Sequence, residues 1–315
     1  MQSSPTSTIR PMNSISSFKG LNNVSDPLRL GLAWLVQADN VDITDTGALS
    51  KRGGYARVLT GAVTGAYSTL KFSRCYLVVG GTLAAFSGSS ALTVLRTGLN
   101  PAPMHFAEVN DYVYFNNGVD SGVIGPDHSV QPWRDAPLKD ALFFDAAGAK
   151  LDALFDPLPL GTDVVQHWRG RMYAAQYFSN DAQSAVWFSQ PLGYHLFSMD
   201  VDFLMVPGRI VMLAPHADAL IIGTDSQIHA FDGKTLVQLA DYGVVPGQHW
   251  SRDDNDRILF WSKRGLCAGL PFANLTDRQV SVPPGVSAGG AIVRHGGQRR
   301  YVVSLQQGGT AFNPL

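Results

Sequence analysis

Glutamate is almost missing from this chain: Glu108 is the only one in 315 residues, so aspartate supplies nearly every carboxylate. A glycoside hydrolase, which works with two carboxyl groups roughly 5 to 10 Å apart, would have to draw them almost entirely from aspartate, which makes it possible but unattractive. Cysteine is scarce too. Cys75 and Cys267 both lie in strand-like runs and read as small buried hydrophobes, not as a disulfide or a metal pair. Charged residues make up 16% of the chain and the net charge is -1, with no basic run longer than a pair such as Arg299-Arg300. That composition argues against nucleic acid as a bound partner. No run reaches the roughly 18 apolar residues of a membrane span, and the opening MQSSPTSTIRPMNSISS has no apolar signal-peptide core. The expectation is a soluble protein made in the cytoplasm. The motifs H-E-x-x-H, G-x-x-x-x-G-K-[ST] and C-x-x-C are all missing, so no zinc, phosphate-loop or dithiol chemistry is announced.

What the chain has in quantity is glycine (32), proline (18) and hydrophobic residues (45%), the makings of many short buried strands joined by tight turns. The stretch Arg209 to Asp232 shows the unit: IVMLAP, ALIIGT and QIHAF, each too short for a helix and separated by turn-forming groups. ALIIG is apolar throughout, as a strand covered on both faces should be. The pattern recurs at residues 66–86, 104–124, 163–189, 248–270 and 289–313. From Tyr76 to Tyr301 there are five steps averaging about 45 residues, the spacing of propeller blades. Each of the first five triplets is followed by one more candidate strand, at 92–97, 129–133, 194–199, 234–240 and 278–282. The sixth has no follower, and Tyr55 to Leu59 (YARVL) is the natural strand to cover the edge it leaves.

The expected fold is therefore all-β, a single β-propeller of six blades, with five or seven open, over residues 55–315. It is preceded by an arm and linker over 1–54, in which residues 1 to about 30 read either as an extended arm anchored at Ile15, Phe18, Leu21 and Val24 or, equally, as a disordered tail. Within the arm, Ala33 to Ala38 suggests a helical turn and Asn40 to Thr44 a strand. An insertion at 134–160 has spacings that fit one or two short helices. It reads either as a covering loop or, with Phe143, Phe144 and Phe155, as a surface for a neighbouring subunit.

The residues able to carry chemistry have competing structural roles. The histidines, His105, His128, His167, His195, His216, His229, His249 and His295, are spread over the blades, and a propeller axis could gather several of them. Satisfied structural histidines are the preferred account. The clusters Asn40-x-Asp42-x-x-Asp45-x-Gly47 and Asp253-Asp254-Asn255-Asp256 offer calcium-type oxygen ligands, yet neither forms the twelve-residue loop closed by glutamate, and turn chemistry is preferred. Trp133, Trp168, Trp187, Trp250 and Trp261 could form a sugar platform, but lie on strand-like segments where packing between blades is the simpler role. Lys51-Arg52 and Arg299-Arg300 could form ion pairs between subunits. No catalytic, cofactor or metal residue is assigned.

One stretch carries a resemblance. Phe18-Lys19-Gly20-Leu21, Pro27-Leu28-Arg29, Asn40, Asp45-Thr46-Gly47-Ala48-Leu49 and Lys51-Arg52-Gly53-Gly54-Tyr55 together resemble the opening of bacteriophage tail nozzle and hub proteins. Those proteins carry the pattern just before a propeller that forms part of a ring at the lower end of a short tail. The resemblance implies a non-enzymatic structural protein of the virion tail, without cofactors. It implies a ring homo-oligomer, usually a hexamer, in contact with other tail or adaptor proteins and with DNA only as it passes through a channel. The rival expectations are a carbohydrate- or receptor-binding propeller and, behind it, a propeller glycoside hydrolase.

Overall fold

The computed structural model describes residues 15–44, 46–54, 56–71, 73–88, 91–135, 155–295 and 298–307. By contact density the chain forms two units, one of residues up to Tyr55 together with Thr276–Val282, the other of Ala56–Leu275 with Pro283–Leu315.

In the first unit, β1 (Gly20–Leu21) pairs in parallel with β2 (Trp34–Leu35), and β3 (Val41–Ile43) pairs antiparallel with β4 (Leu49–Lys51). The helical turn expected over Ala33 to Ala38 is not formed. Lys19 N–H donates to Ala33 O and Asn22 N–H to Leu35 O, so this stretch spends its backbone groups on β1 instead. Thr276–Val282 belongs here because Asn23 ties it down: Asn23 N–H donates to Gln279 O, its Nδ2 to Ser281 O, and Ser281 N–H returns to its Oδ1. Those bonds explain why Arg278 to Val282 is not the outer strand expected of the fifth blade.

The second unit is a β-propeller of five blades. The first holds β5 (Val63–Ser68), β6 (Cys75–Val79), β7 (Thr82–Phe86) and β8 (Leu92–Arg96), paired antiparallel in that order. The second holds β9 (His105–Val109), β10 (Tyr112–Asn116), β11 (Ser121–Ile124) and β12 (Val130–Gln131), followed by a short 3-10 turn at Trp133–Asp135. In the third, β13 (Val164–Trp168), β14 (Arg171–Phe178) and β15 (Gln183–Gln190) are followed by both β16 (Gly193–Phe197) and β17 (Phe203–Pro207). These last two share β15, β17 along its first half and β16 near its end. The fourth has β18 (Ile210–Pro215), β19 (Leu220–Thr224), β20 (Ile228–Phe231) and β21 (Leu236–Ala240). The fifth has β22 (Ser251–Arg252), β23 (Ile258–Ser262), β24 (Gly265–Ala268) and β25 (Ala273–Asn274).

Buried side chains collect between successive blades, which is what makes the sheets wedges of one ring. Tyr76, Val78 and Leu83 of the first blade meet Phe106, Val113 and Phe115 of the second. Tyr114 and Val123 meet Val165 and Trp187 at the next seam, Tyr173 and Val186 meet Leu213 and Ile222 at the third, and Met212 and Ile221 meet Ile258 and Phe260 at the fourth. Each such side chain, fully buried, stabilises the fold by about 1.5 to 3 kcal/mol, more than any single hydrogen bond here.

Polar clamps run from blade to blade. Arg74 donates to Gly125 O and Asp111 O, Arg96 to Ser121 O and Asp120, Arg169 to Ala217, Asp218 and Asp232 carbonyls, and Arg252 to Pro215 O. Across the ring, Gln248 accepts from Ala66 N–H of β5 and donates to Met104 O ahead of β9, tying the entry to the last blade onto the first two.

Where the sequence predicts a sixth blade, the chain forms a two-stranded hairpin, β26 (Ser287–His295) and β27 (Gln298–Gln306), and the five blades that stand are a count the sequence left open. It packs on the fifth blade through Ala288, Val303 and Leu305 against Val245 and Trp261. Ala288 N–H donates to Pro246 O and Gly290 N–H to Gln248 O. The backbones approach so closely that a Cβ on Gly247 (φ +127°) would run into the Ala288 carbonyl oxygen. The strand expected at Tyr55 to Leu59 does not close this hairpin. Ala56–Leu59 form no strand, Val58 stands exposed, and Tyr55 lies outside the described residues. The helical segments expected after Asp135 likewise lie outside them, as do Phe143 and Phe144, while Phe155 is half-buried.

Candidate functional site

The histidines do not converge on one point. His249 is fully buried between the fifth blade and the hairpin. Its Nδ1 accepts from Trp261 N–H (3.0 Å), its Nε2 donates to Val245 O (2.6 Å), and its carbonyl accepts from Tyr301 Oη. Burial pushes its pKa down to about 4, although hydrogen bonding to the Val245 carbonyl acts the other way. His229 and His167 have Nε2 atoms without a partner among the described residues, and burial holds both pKa values below the ordinary range. The His167 ring stands edge-on to Tyr194 at 5.4 Å. His128 lies 3.3 Å from Tyr76 Oη, His216 Nδ1 accepts from Asp218 N–H, His195 is buried in β16, and His295 ends β26.

The nearest approach to a constellation is at the start of three inner strands, where His105, Asp163 and Arg209 interact. Burial chiefly disfavours the His105 cation, Asp163 favours it, Arg209 adds a smaller effect against it, and the net result is a lowered pKa. Asp163 is engaged by Arg209 at 3.3 Å and by Val164 N–H at 2.8 Å. A neutral imidazole beside a carboxylate already held by a guanidinium has the form of an inter-blade tie.

The acidic loop is spent on arginines. Asp253 pairs with Arg257 at 2.8 Å, Asp256 with Arg252 at 2.9 Å, and Asp254 with both Arg294 and Arg299 of the hairpin. Partial burial works against charge on Asp253, but hydrogen bonds from Arg257 and Asn255 outweigh it and hold the carboxyl below the usual range. In the other cluster, Asn40 (φ 54°) accepts from Arg52 N–H, Ala48 N–H donates to Thr44 Oγ1, and Asp45 lies outside the described residues. Both clusters are turns of the kind Asp, Asn and Thr build from local hydrogen bonds. Among the described residues no group of three or more His, Cys, Asp or Glu is placed to hold a metal ion. Arg299 makes its ion pair within the chain, and Lys51 is exposed on β4.

The tryptophans are wedges. Trp133, Trp168, Trp187 and Trp261 are buried, with Trp133 Nε1 donating to Tyr194 O and Trp168 Nε1 to His216 O across blade seams. Trp250 is half-buried against the seam between the fourth and fifth blades. Cys75 is half-buried and Cys267 buried, both as free thiols whose pKa burial raises.

No protein-family model matches this chain, and no curated protein matches its sequence. Several solved structures share some likeness. One is described as the extracellular domain of a hybrid two-component system from B. thetaiotaomicron. It is 10% identical over 73% of this chain and 28% of that one, with a TM-score of 0.45. A hydrazine synthase from Kuenenia stuttgartiensis is 8% identical over 65% of this chain and 64% of that one (TM-score 0.45). A gluconolactonase from Xanthomonas campestris is 12% identical over 74% of this chain and 79% of that one (TM-score 0.43). This chain spans only 28% to 37% of the length of the B. thetaiotaomicron domains it resembles. Such likeness carries nothing about chemistry, and the propeller stands on the strand order and seam packing described above.

Sequence reasoning missed the groove at the outer edge of the fourth blade. It holds about 460 Å³ and is lined by Gln238, Leu239, Asp241, Tyr242 and Phe272. Arg264 lies 4.7 Å from the centre of the Tyr242 ring, and burial chiefly, with Cys267 beside it, pushes the phenol up to about 12. Its residues come from strand ends and turns with no motif spacing, so only the alternating Leu236, Gln238 and Ala240 of an edge strand hinted at it.

Proposed function

We propose that this chain is a structural component of a bacteriophage tail, a nozzle- or hub-like ring protein that assembles with copies of itself and with other tail proteins around a path for DNA. The observation that carries the reading is how the reactive side chains are employed. His249 and the tryptophans Trp133 and Trp168 are committed to structural hydrogen bonds and the acidic loop to arginine pairs, which suits a rigid scaffold more than a turnover site. The opening pattern from Phe18 to Tyr55 supports the narrower placement in a tail. Its unit also exposes Leu28 and Leu32 (95% and 63%) together with Val24, apolar surface of the kind that packs against a neighbour. The test is mass spectrometry and a density map of purified particles. The protein should be present at a fixed multiple of the other tail proteins, and its absence from particles would end the proposal.

The groove beside Tyr242 favours a second reading, a carbohydrate- or receptor-binding propeller. Its lining brings together Tyr242, Phe272 and Gln238, residue types that hold sugars, with Arg264 over one face of the Tyr242 ring and the Gln238 amide donating to Ala240 O. Saturable glycan binding by the isolated chain, lost in Tyr242→Ala, would favour this reading over the scaffold.

A further inference from the structure

The β26–β27 hairpin is held to the fifth blade along one narrow seam. Ala288 is its one fully buried residue among those described, and Tyr301, Val303 and Leu305 on the same face are half-buried. Its backbone meets the blade at Ala288 N–H to Pro246 O (2.8 Å) and Gly290 N–H to Gln248 O (2.9 Å). Its far end is tied by Arg294 and Arg299 to Asp254, exposed pairs that contribute little individually. An element with so little buried surface can open apart from the rest of its fold.

His249 lies in the middle of that seam with no exposed surface. Its partners dictate its protonation: Trp261 N–H can only donate and Val245 O can only accept, so Nδ1 carries the lone pair and Nε2 the hydrogen. A second proton, on Nδ1, would set N–H against N–H at 3.0 Å, and the ring would have to leave. On one side the ring is walled by blade backbone, Val245 and Trp261. On the other stands the hairpin: a Cβ on Gly290 would lie 3.1 Å from both the His249 Cβ and its carbonyl oxygen, and Tyr301 Oη donates to that same oxygen. The ring's way out is through the hairpin's seat.

We propose that the β26–β27 hairpin is an acid-released strap: protonation of His249 expels its ring from the seam and lifts the hairpin off the fifth blade while the blades themselves stay closed. Lifting uncovers Val245 and Trp261 on the blade and Ala288, Val303 and Leu305 on the hairpin, apolar surface that the neutral protein keeps covered. The other titratable group packed on His249 is Tyr301, whose phenol burial raises, so it stays neutral in acid. The charged side chains of the elements around the seam are Arg252 on β22, Lys263 and Arg264 after β23, Arg294 on β26, and Arg299 and Arg300 on β27, all cationic throughout the acid range. Aspartates ordinarily titrate near 3.9, so at pH 5 and above the Asp254 ties stay charged and His249 is the group that changes. The inference goes beyond the assembly reading and holds equally for a propeller that binds a sugar.

The test is amide hydrogen exchange of the full chain from pH 7.5 to pH 5, with closing faster than exchange and each rate corrected for its intrinsic pH dependence. A lifted state that takes up the proton near 6.5, against a seated state that holds it off until about 4, raises the opening constant about thirty-fold between pH 7.5 and pH 5. The amides of β26 and β27, Ala288 and Gly290 among them, should share that rise and exchange faster than the middle strands β10 and β19 at every pH. In His249→Gln the rise should vanish. Tyr301→Phe, which loses the phenol's bond to the His249 carbonyl, should loosen the hairpin at every pH and keep the thirty-fold rise, so the slope can be read even if His249→Gln folds poorly. Hairpin amides as slow as those of β10 and β19 would overturn the proposal, because the hairpin would then open only when the whole propeller does. So would protection that is the same at both ends of the pH range in wild type and Tyr301→Phe. A rise that persists in His249→Gln would assign it to His105, His167 or His229, which belong to other blades, and would equally overturn it.

Discussion

His249 makes the stability of this propeller depend on acid, and the size of the effect follows from its surroundings. In an unfolded chain the imidazole titrates near 6.5, whereas in the fold it titrates near 4, since burial disfavours the cation more than the Val245 carbonyl favours it. At neutral pH both states hold the ring neutral and nothing is lost. As pH falls below about 6.5 the unfolded chain takes up a proton that the folded chain refuses, so stability drops, and the drop is complete once pH passes below about 4. A difference of about 2.5 units at roughly 1.4 kcal/mol per unit gives a full loss of about 3 to 4 kcal/mol, of which about 3 is in place at pH 4, a large share of a typical domain's stability. The assay is urea unfolding of wild type and His249→Gln at pH 7.5 and pH 4. The substitution lowers stability at both pH values, because two buried hydrogen bonds are disturbed. The prediction concerns the difference: the wild type should lose about 3 kcal/mol more on acidification than the variant. His105, His167 and His229 also resist protonation, but they are common to both proteins and cancel. Equal losses in the two proteins, or an NMR titration placing the His249 ring at 6 or above, would refute the reasoning.

Gly247→Ala should cost about 3 kcal/mol or more, read as a fall in urea midpoint, because a positive φ and the nearby Ala288 carbonyl leave no room for a methyl group. Arg169→Ala should lower stability by about 1 to 2 kcal/mol by releasing three carbonyls of the fourth blade's turns. Arg169→Lys should recover less than half of that in thermal unfolding, since one ammonium cannot span the same oxygens. Calcium and EDTA should leave the melting temperature unchanged to within about 1 °C, because the Asp253 to Asp256 loop is neutralised by arginines. Asp254→Asn should cost no more than about 1 kcal/mol at this exposed position.

Middle strands were the most legible part of the sequence. CYLVV, YVYFN, LIIGT and ILFWS are short, apolar on both faces and bounded by turns, and each forms within a residue or two of where its pattern ends. Outer strands were less so, for a physical reason: half solvated, they carry weaker periodicity and are chosen by what is left to pair with. Arg278 to Val282 has the alternation of a strand, yet Asn23 offers it hydrogen bonds first, and Ala273–Asn274 takes the edge of the fifth blade in its place. β17 was missed because FLMVP ends in a proline and follows a loop that already seemed to have supplied its blade's last strand. Ala56–Leu59 shows the reverse case, a good strand sequence left unpaired, since β-propensity without a partner edge does not make a sheet.

For the candidate site, residue type alone carried no geometry, and it did not foresee that the buried Nε2 atoms of His167 and His229 would lack a partner among the described residues. Trp-Arg in Trp168-Arg169 looks like any surface turn, and only the structure shows the indole and the guanidinium stacked 4.6 Å apart and both reaching the next blade's turns. Gln248 gives no signal at all, because a glutamine before a histidine has no periodicity to betray it. Yet its amide joins β5 to the approach to β9, and that single side chain does much of what a closing strand was expected to do. Closure here is thus divided between a side-chain amide at the inner strands and a two-stranded hairpin on the fifth blade. A ring closed in this way leaves β27 with no strand along its outer edge among the described residues, and an exposed edge of nine residues is a template for a further strand.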